Sequence, residues 1–259
     1  KNVPGINMQY LAEGLLGQVM VADVDKAISE GKDMNGRILF VNRMGQSQLD
    51  LKTGSTRWNY SIFTSAVSSV LPEKSNALIL GLGGGNVANS FSYGLGFQVD
   101  AVELDRRIAD VSKQYFALNP TVKVIVDDAR HYLETTSKKY DLIFFDVFKG
   151  EVQPPHVLSV EAFRRANSLL SENGMIIVNL NGYLCGEIGK PGRSVYLTLK
   201  SVGLETRILP TPGNESERNS LFIATKKPMA FHHVRTPLTH HGKEVGLDSL
   251  FLDPSTLNL

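Results

Sequence analysis

The stretch that decides the fold reads Ala77-Leu78-Ile79-Leu80-Gly81-Leu82-Gly83-Gly84-Gly85-Asn86, an apolar run that leads into four glycines. A buried parallel strand is typically a continuous apolar run. Glycines directly after it let the backbone turn sharply and approach a ligand with no Cβ in the way. About twenty residues further on, a second apolar strand ends in Glu103, where an acid can accept hydrogen bonds from ribose hydroxyls. Together the two segments predict a site for a nucleoside-bearing cofactor.

From Asn76 onward the chain alternates between predicted strands and predicted helices. We predict strands over 77–80, 99–103, 122–126, 141–146, 174–179, 205–209 and 220–225, and helices over 86–93, 106–117, 129–136, 159–171 and 192–202. Such alternation predicts an α/β fold, a parallel sheet with helices on both faces. Only a turn-rich loop, Pro210-Thr211-Pro212-Gly213-Asn214-Glu215, separates the last two strands. We therefore expect a final hairpin with one reversed strand, the order of methyltransferase-type sheets.

A small antiparallel β lid is predicted ahead of this Rossmann-like domain. Its strands are predicted at 17–23, 37–42 and 46–51, where apolar and polar residues alternate. Residues 1–16 are too mixed to assign and are expected to form an arm. The polar segment 25–36 contains Gly31, Asn35 and Gly36, and is expected to be a loop.

Three regions follow from this pattern. Residues 1–72 would hold the lid and a linker helix, which spans 60–71 and stops before Pro72. Residues 73–227 would form the nucleoside-binding domain. Residues 228–259 are rich in proline and histidine, show little periodicity, and are expected to be a tail that wraps the surface or frays.

Composition sets broad limits on the class of protein. The chain has 259 residues, of which 42% are hydrophobic and 20% charged, as in a globular protein. Its net charge of +1 gives no electrostatic case for nucleic acid or an anionic membrane. The single cysteine excludes an internal disulfide. With no apolar run of transmembrane length, we expect a cytoplasmic location, and a membrane tether only if the chain belongs to a longer protein.

Acids stand at the carboxyl ends of three neighbouring predicted strands, where open α/β sheets bind ligands. Glu103 suits two ribose hydroxyls, or is a helix N-terminal acid. Asp128, next to Asp127 and before Ala129, suits the exocyclic amine of an adenine, or caps the following helix. Asp146 follows four apolar residues, so burial would favour work as a proton acceptor; otherwise it is a structural turn acid.

Further segments make the chain resemble the spermidine synthase family of aminopropyltransferases. The resemblance covers 13–190 and is greatest to a divergent branch often fused to membrane domains. The matching segments are Gly45-Gln46-Ser47, Tyr60, Gly81-Leu82-Gly83-Gly84-Gly85, Val102-Glu103-Leu104-Asp105, Asp127-Asp128-Ala129-Arg130 and Tyr140-Asp141-Leu142-Ile143-Phe144-Phe145-Asp146. A β lid is also typical of this family.

The resemblance implies a transferase of polyamine biosynthesis, which moves an aminopropyl group from decarboxylated S-adenosylmethionine to an amine. It implies that Asp146 is the base that deprotonates the amine. The implied donor-binding residues are Gln46, Gly81, Gly83, Gly85, Glu103, Asp128 and Ala129. Tyr60, Lys149 and His156 would lie near the acceptor. No metal is implied, and a homodimer through the lid is expected.

Several family acids are missing from this chain. The aspartate of the family's glycine loop is Gly84, its second aspartate after the catalytic one falls on Lys149, and the His-Glu after the tyrosine is Ser61-Ile62. Because these acids hold cationic amines, we expect an altered acceptor site that binds putrescine poorly. Gly84 would also leave room for the carboxylate of intact S-adenosylmethionine, which Lys149 could pair.

Three functions remain open at this stage. The chain is an aminopropyltransferase with an altered acceptor, a methyltransferase that uses S-adenosylmethionine, or a non-catalytic module that keeps the nucleoside pocket. The sequence does not identify the acceptor.

Overall fold

A computed structural model describes residues 5–29, 32–56, 58–147, 154–240 and 243–257. Its centre is a mixed sheet of seven strands: β5 (Asn76–Leu80), β6 (Gln98–Glu103), β7 (Lys123–Val126), β8 (Tyr140–Phe145), β9 (Leu170–Asn181), β10 (Glu205–Pro210) and β11 (Asn219–Thr225). They lie in the order β10-β11-β9-β8-β5-β6-β7. Only β11 is reversed, antiparallel to both neighbours. The predicted α/β fold and its final hairpin are therefore confirmed.

Helices cover both faces of this sheet. Along the chain they are α1 (Asn59–Ser68), α2 (Asn86–Asn89) with a π-helical turn over Ser90–Gly94, α3 (Arg106–Tyr115), α4 (Ala129–Thr135), α5 (Val160–Leu169) and α6 (Lys190–Ser201). Alternate side chains of a strand point to opposite faces. Accordingly, Ile79 packs with Phe63 of α1, whereas Leu78 and Leu80 pack with Phe163 of α5.

The lid is a separate sheet of four antiparallel strands, with one more strand than the pattern predicts. It consists of β1 (Ile6–Gly14), β2 (Gly17–Ser29), β3 (Lys32–Val41) and β4 (Met44–Asp50), in that order. The arm expected over 1–16 contains β1, whose mixed composition reflects a largely exposed edge strand. The loop expected over 25–36 is wrong as well, because β2 and β3 continue their backbone pairing to Ser29 and Lys32.

The lid packs on α3 through polar and apolar contacts. Ile108 and Val111 of α3 share a small core with strands β2, β3 and β4. Arg107 donates hydrogen bonds to the carbonyl oxygens of Ala12 and Gly17, at 3.4 and 3.0 Å. These carbonyls flank the β1–β2 turn, so Arg107 fixes the lid relative to the central sheet.

The C-terminal segment is more ordered than its sequence predicts. It forms β12 (Arg235–His240), which pairs with β13 (Lys243–Gly246). Phe231 and Leu247 are buried in the core that also holds α1. The Arg207 guanidinium of β10 lies 3.5 Å from the centroid of the Phe251 ring and pairs with Asp248 at 2.9 Å. Aromatic residues that are spaced irregularly along this segment pack it against the sheet, so no periodic pattern predicts its structure. Among the described residues, no helix combines the length and apolarity that crossing a bilayer requires.

A buried polar cluster lies near the amino-terminal ends of β6 and β8. Asp100 accepts hydrogen bonds from Lys138 Nζ at 2.9 Å and from the Tyr140 hydroxyl at 2.8 Å. The hydroxyls of Tyr132 and Tyr140 are 2.7 Å apart. Because Asp100 is only 4% exposed, these hydrogen bonds replace the water that its carboxylate loses on folding.

We predict that Asp100→Ala lowers the free energy of unfolding by about 1–3 kcal/mol, because the buried Tyr140 hydroxyl loses its acceptor. Glu172→Ala is the matched control, since its ion pair with Lys227 is largely exposed, and it should leave stability unchanged. Urea denaturation of both variants measures the difference. Equal midpoints would contradict a stabilising role for this cluster.

Candidate functional site

The glycine loop after β5 depends on backbone conformations that favour glycine. Gly81, Gly83 and Gly85 have φ values of +92°, +53° and +83°. A Cβ on Gly81 would overlap the carbonyl oxygen of Asp146, so the loop and the end of β8 are in direct contact. The Gly81 N–H donates to the carbonyl of Val102 at 2.8 Å. The loop therefore continues directly from the carboxyl edge of the sheet.

Glu103 lies beneath this loop. The carboxylate accepts the Leu82 N–H at Oε2 (2.9 Å) and the Asp105 N–H at Oε1 (3.0 Å). Burial raises the pKa of Glu103, although the N–H groups of Asp105, Leu82 and Gly83 favour its ionised form. A carboxylate has about four acceptor positions, so Glu103 can accept further hydroxyl donors.

The lid reaches the glycine loop through β4. Ser47 Oγ accepts the Gly84 N–H at 2.7 Å and donates to the Gln46 carbonyl oxygen, also at 2.7 Å. Asn86 Nδ2 donates to the Gln48 carbonyl at 2.8 Å. The structure thus places the backbone of Gln46 beside the loop and adds Ser47 as a side chain that joins lid and loop.

The space beside Gly84 is filled by protein. A Cβ on Gly84 would lie 2.8 Å from Ser47 Cβ and 3.0 Å from Phe116 Cδ1. The room expected at Gly84 for a donor carboxylate is therefore not present on this side, because the docked lid closes it. The same contacts leave no space for the acid that the resemblance would place at this position.

Asp128 is the N-cap of α4, which is the structural alternative considered for it from the sequence. It caps α4, accepting the N–H groups of Arg130 and His131 at 2.8 and 3.0 Å. His156 Nε2 lies 3.5 Å from its second oxygen. Although burial opposes the shift, these donors hold the pKa of Asp128 below its ordinary value. Ala129 is buried as the first residue of the helix.

Asp146 follows β8 and contacts two further elements. Its Oδ1 accepts a hydrogen bond from Asn179 Nδ2 at 2.8 Å, and the Tyr60 hydroxyl of α1 also donates to the carboxylate. Burial raises the pKa of Asp146 to about 6, against these two donors, and the negative charge of Glu103 acts in the same direction as burial. The pKa of Tyr60 is also raised, by burial and by the charge of Asp146. The arrangement is a carboxylate able to exchange a proton near neutral pH.

Two asparagines at this site were missed by the sequence reasoning. Asn179 is buried in β9, and its Oδ1 accepts Asn219 Nδ2 of β11 at 3.0 Å. The available signal was a polar residue inside the apolar run Met175-Ile176-Ile177-Val178-Asn179-Leu180, since a buried amide needs partners.

The predicted acceptor residues are only partly brought together. Tyr60 reaches Asp146, and its ring centroid lies 5.9 Å from that of Trp58. His156 is exposed, and its Nε2 lies 3.5 Å from Asp128 Oδ2. Lys149 lies outside the described residues.

Comparison with known proteins assigns the middle of the chain to a family domain. Residues 61–185 match the spermine/spermidine synthase domain. The chain carries a spermidine synthase family domain. A probable polyamine aminopropyl transferase of Bifidobacterium longum is 26% identical over 235 residues, which are 85% of this chain and 51% of that protein. The chain thus spans about half the length of that relative.

Other relatives of this spermidine synthase family domain extend the comparison. An N-terminal histidine N-methyltransferase of Emericella nidulans is 31% identical over 143 residues, 53% of this chain and 24% of that protein. A probable spermidine synthase from Corynebacterium glutamicum has the same fold, with a TM-score of 0.68 and 20% identity over 89% of this chain and 82% of that one. The chain and that structure therefore share an overall fold.

We predict that Gly84→Ala destabilises the protein by about 1–3 kcal/mol, because the added methyl overpacks the contact with Ser47 and Phe116. Gly94→Ala is the matched control, since a Cβ there meets nothing within 4 Å. Thermal unfolding should show a lower midpoint for Gly84→Ala alone. If both variants melt together, the lid does not close on Gly84.

Proposed function

We propose that this chain is an aminopropyltransferase that uses decarboxylated S-adenosylmethionine as donor and a small-molecule amine as acceptor. The observation that carries the proposal is the convergence of Glu103, the glycine loop and Asp146 at one sheet edge. In this proposal, Glu103 would bind the ribose hydroxyls and Asp146 would take a proton. Membership in the spermidine synthase family supports this assignment.

The residues present fit the nucleoside part of such a donor. The glycine loop has no side chains at Gly81, Gly83 and Gly85, so a ligand can lie against its backbone. Glu103 would accept the ribose hydroxyls, Asp128 would accept the adenine amine beside Ala129, and Gln46 would contact the donor from the lid. Since Oδ1 of Asp128 already caps α4, Oδ2, which lies 3.5 Å from His156 Nε2, would serve this role.

In the proposed reaction the protein forms no covalent bond with the donor or the acceptor. The acceptor nitrogen attacks the carbon next to the sulfonium, the carbon–sulfur bond breaks, and its electron pair stays on sulfur as a thioether. The new ammonium loses one proton, which Asp146 accepts. A carboxylate with a pKa near 6 suits this task, because it is ionised at neutral pH yet more basic than an exposed aspartate.

The acceptor is proposed to differ from a simple diamine. The packing of Ser47 and Phe116 excludes an acid at Gly84, and Ser61-Ile62 replace two polar family residues beside Tyr60. Each missing charged contact weakens binding of a cationic amine. Putrescine should therefore be a poor acceptor.

A second candidate is methyl transfer from intact S-adenosylmethionine. The match to a histidine N-methyltransferase favours it, although that match covers a smaller part of this chain than the aminopropyl transferase match does. The closed space beside Gly84 argues against it, because the additional donor carboxylate is not accommodated there.

Calorimetry should separate the two donors. We predict that decarboxylated S-adenosylmethionine binds at least about tenfold more tightly than the intact form, since one unpaired carboxylate costs more than 1.4 kcal/mol. Glu103→Gln should weaken the binding of both donors and of the thioether product, whereas Asp110→Asn, on the exposed face of α3, should not. Preference for the intact form would support methyl transfer. If neither donor nor the thioether product binds, both candidate functions are refuted.

Turnover should depend on the ionised form of Asp146. We predict that kcat/KM falls as the pH drops through about 6, because protonation removes the base. Asp146→Asn should reduce turnover by about 100-fold or more while donor affinity is retained. Steady-state kinetics with a panel of amines and calorimetry with the donor measure the two effects. Donor binding without turnover in the unmodified protein would indicate a non-catalytic module.

A further inference from the structure

Asp146 is reached by a relay of two amides on neighbouring antiparallel strands. Asn219 Nδ2 of β11 donates to Asn179 Oδ1 of β9 at 3.0 Å, and Asn179 Nδ2 donates to Asp146 Oδ1 at 2.8 Å. In the strand register, Asn219 lies opposite Asn181 and is therefore the diagonal neighbour of Asn179. We name this set, Asn219, Asn179 and Asp146, the amide relay.

The relay determines which end of the Asn179 amide faces the carboxylate. An amide has an acceptor oxygen and a donor nitrogen, and turning it over would place two oxygens together at Asp146. Because Asn219 donates to the oxygen, the nitrogen of Asn179 must point to Asp146. The main chain of Asn219 is held by Thr211. The Thr211 N–H donates to the main-chain carbonyl oxygen of Asn219 at 2.8 Å, and Thr211 Oγ1 accepts the main-chain N–H of Asn219 at 3.1 Å.

We propose that Asn179 and Asn219 are positioning residues, which hold one oxygen of the Asp146 carboxylate in a fixed direction for proton transfer. Asn179 acts by direct contact, and Asn219 acts only through Asn179. The catalytic meaning of this arrangement rests on the proposed function, but the relay itself can be tested without turnover.

The charged and titratable groups around Asp146 determine how strongly the loss of one donor changes its protonation. The Tyr60 hydroxyl faces it from α1 and Glu103 lies near it at the end of β6, while the amide of Asn179 approaches from β9. Among the residues that the structure describes, Tyr60 and Asn179 stabilise the ionised form, whereas burial and the charge of Glu103 oppose it. Losing one of two donors should therefore change the protonation of Asp146 strongly.

The test is carbon-13 NMR of the aspartate carboxyl groups in the ligand-free full chain, with Asp146 assigned by its absence in Asp146→Asn. Asn179→Leu removes the donor and keeps a similar volume, and should raise the pKa of Asp146 by about one unit or more. Asn219→Ala should raise it by less. The double variant should equal Asn179→Leu, because Asn219 has no separate route to Asp146.

Asn181→Ala is the matched control, since this exposed asparagine of the same strand donates to the Glu217 carbonyl instead. It should leave the pKa of Asp146 unchanged. An Asp146 pKa that is the same in the unmodified protein, Asn179→Leu and Asn219→Ala would overturn the relay. If Asn179→Leu does not fold, Asn219→Ala decides alone, because the backbone of Asn219 remains paired in β11.

Kinetics then connect the relay with the reaction. The acid limb of kcat/KM should move upward in pH by the same amount as the NMR pKa in each variant, with donor affinity unchanged. A pKa shift without any turnover in the unmodified protein would refute the proposed function and leave the relay intact. Turnover with an unshifted acid limb would refute the positioning role and leave the proposed function intact.

Discussion

The close approach of Gly81 to the carbonyl oxygen of Asp146 is the constraint on which the site depends. No side chain fits between the two, so the strand carrying the glycine loop and the strand carrying the acid must end side by side. The loop is held from two more directions, by Glu103 below and by Ser47 of the lid. A change in any of these contacts would move both the nucleoside cradle and the proposed base.

The lid helps to hold the glycine loop in place. Its strands contribute little to the central core, yet Ser47 and Asn86 tie it to the glycine loop, and Arg107 ties it to α3. Phe116 completes the closure beside Gly84. Thus the missing acid of the loop is not an isolated substitution, because the surrounding side chains have taken its space. Under the proposed function, this packing would add to the effect of charge on the choice of acceptor.

The sequence predicts the central sheet well because its buried strands are continuous apolar runs with acids at their ends, as in β5 and β8. Glu103, the glycine loop and Asp146 could be located for the same reason. Strand β1 and the long β2–β3 pairing could not, since their exposed residues lack a one-sided pattern. Asn179 was missed because its partners come from β11 and the end of β8, far away in sequence. The closure at Gly84 likewise depends on how the lid docks, which no local pattern records.

The buried Glu103 and the half-buried Asp146 also set how the site would respond to a cation. Burial, together with the smaller effect of the Glu103 charge, makes Asp146 hold its proton more readily than an isolated aspartate does. A sulfonium compound brings a positive charge into this pocket, so under the proposed function it would act as a counter-ion and prepare its own base for use. Once its side chain has been transferred, the remaining thioether is neutral. The pocket would then lose its counter-ion just as Asp146 becomes protonated, and the spent nucleoside would leave without an electrostatic tether.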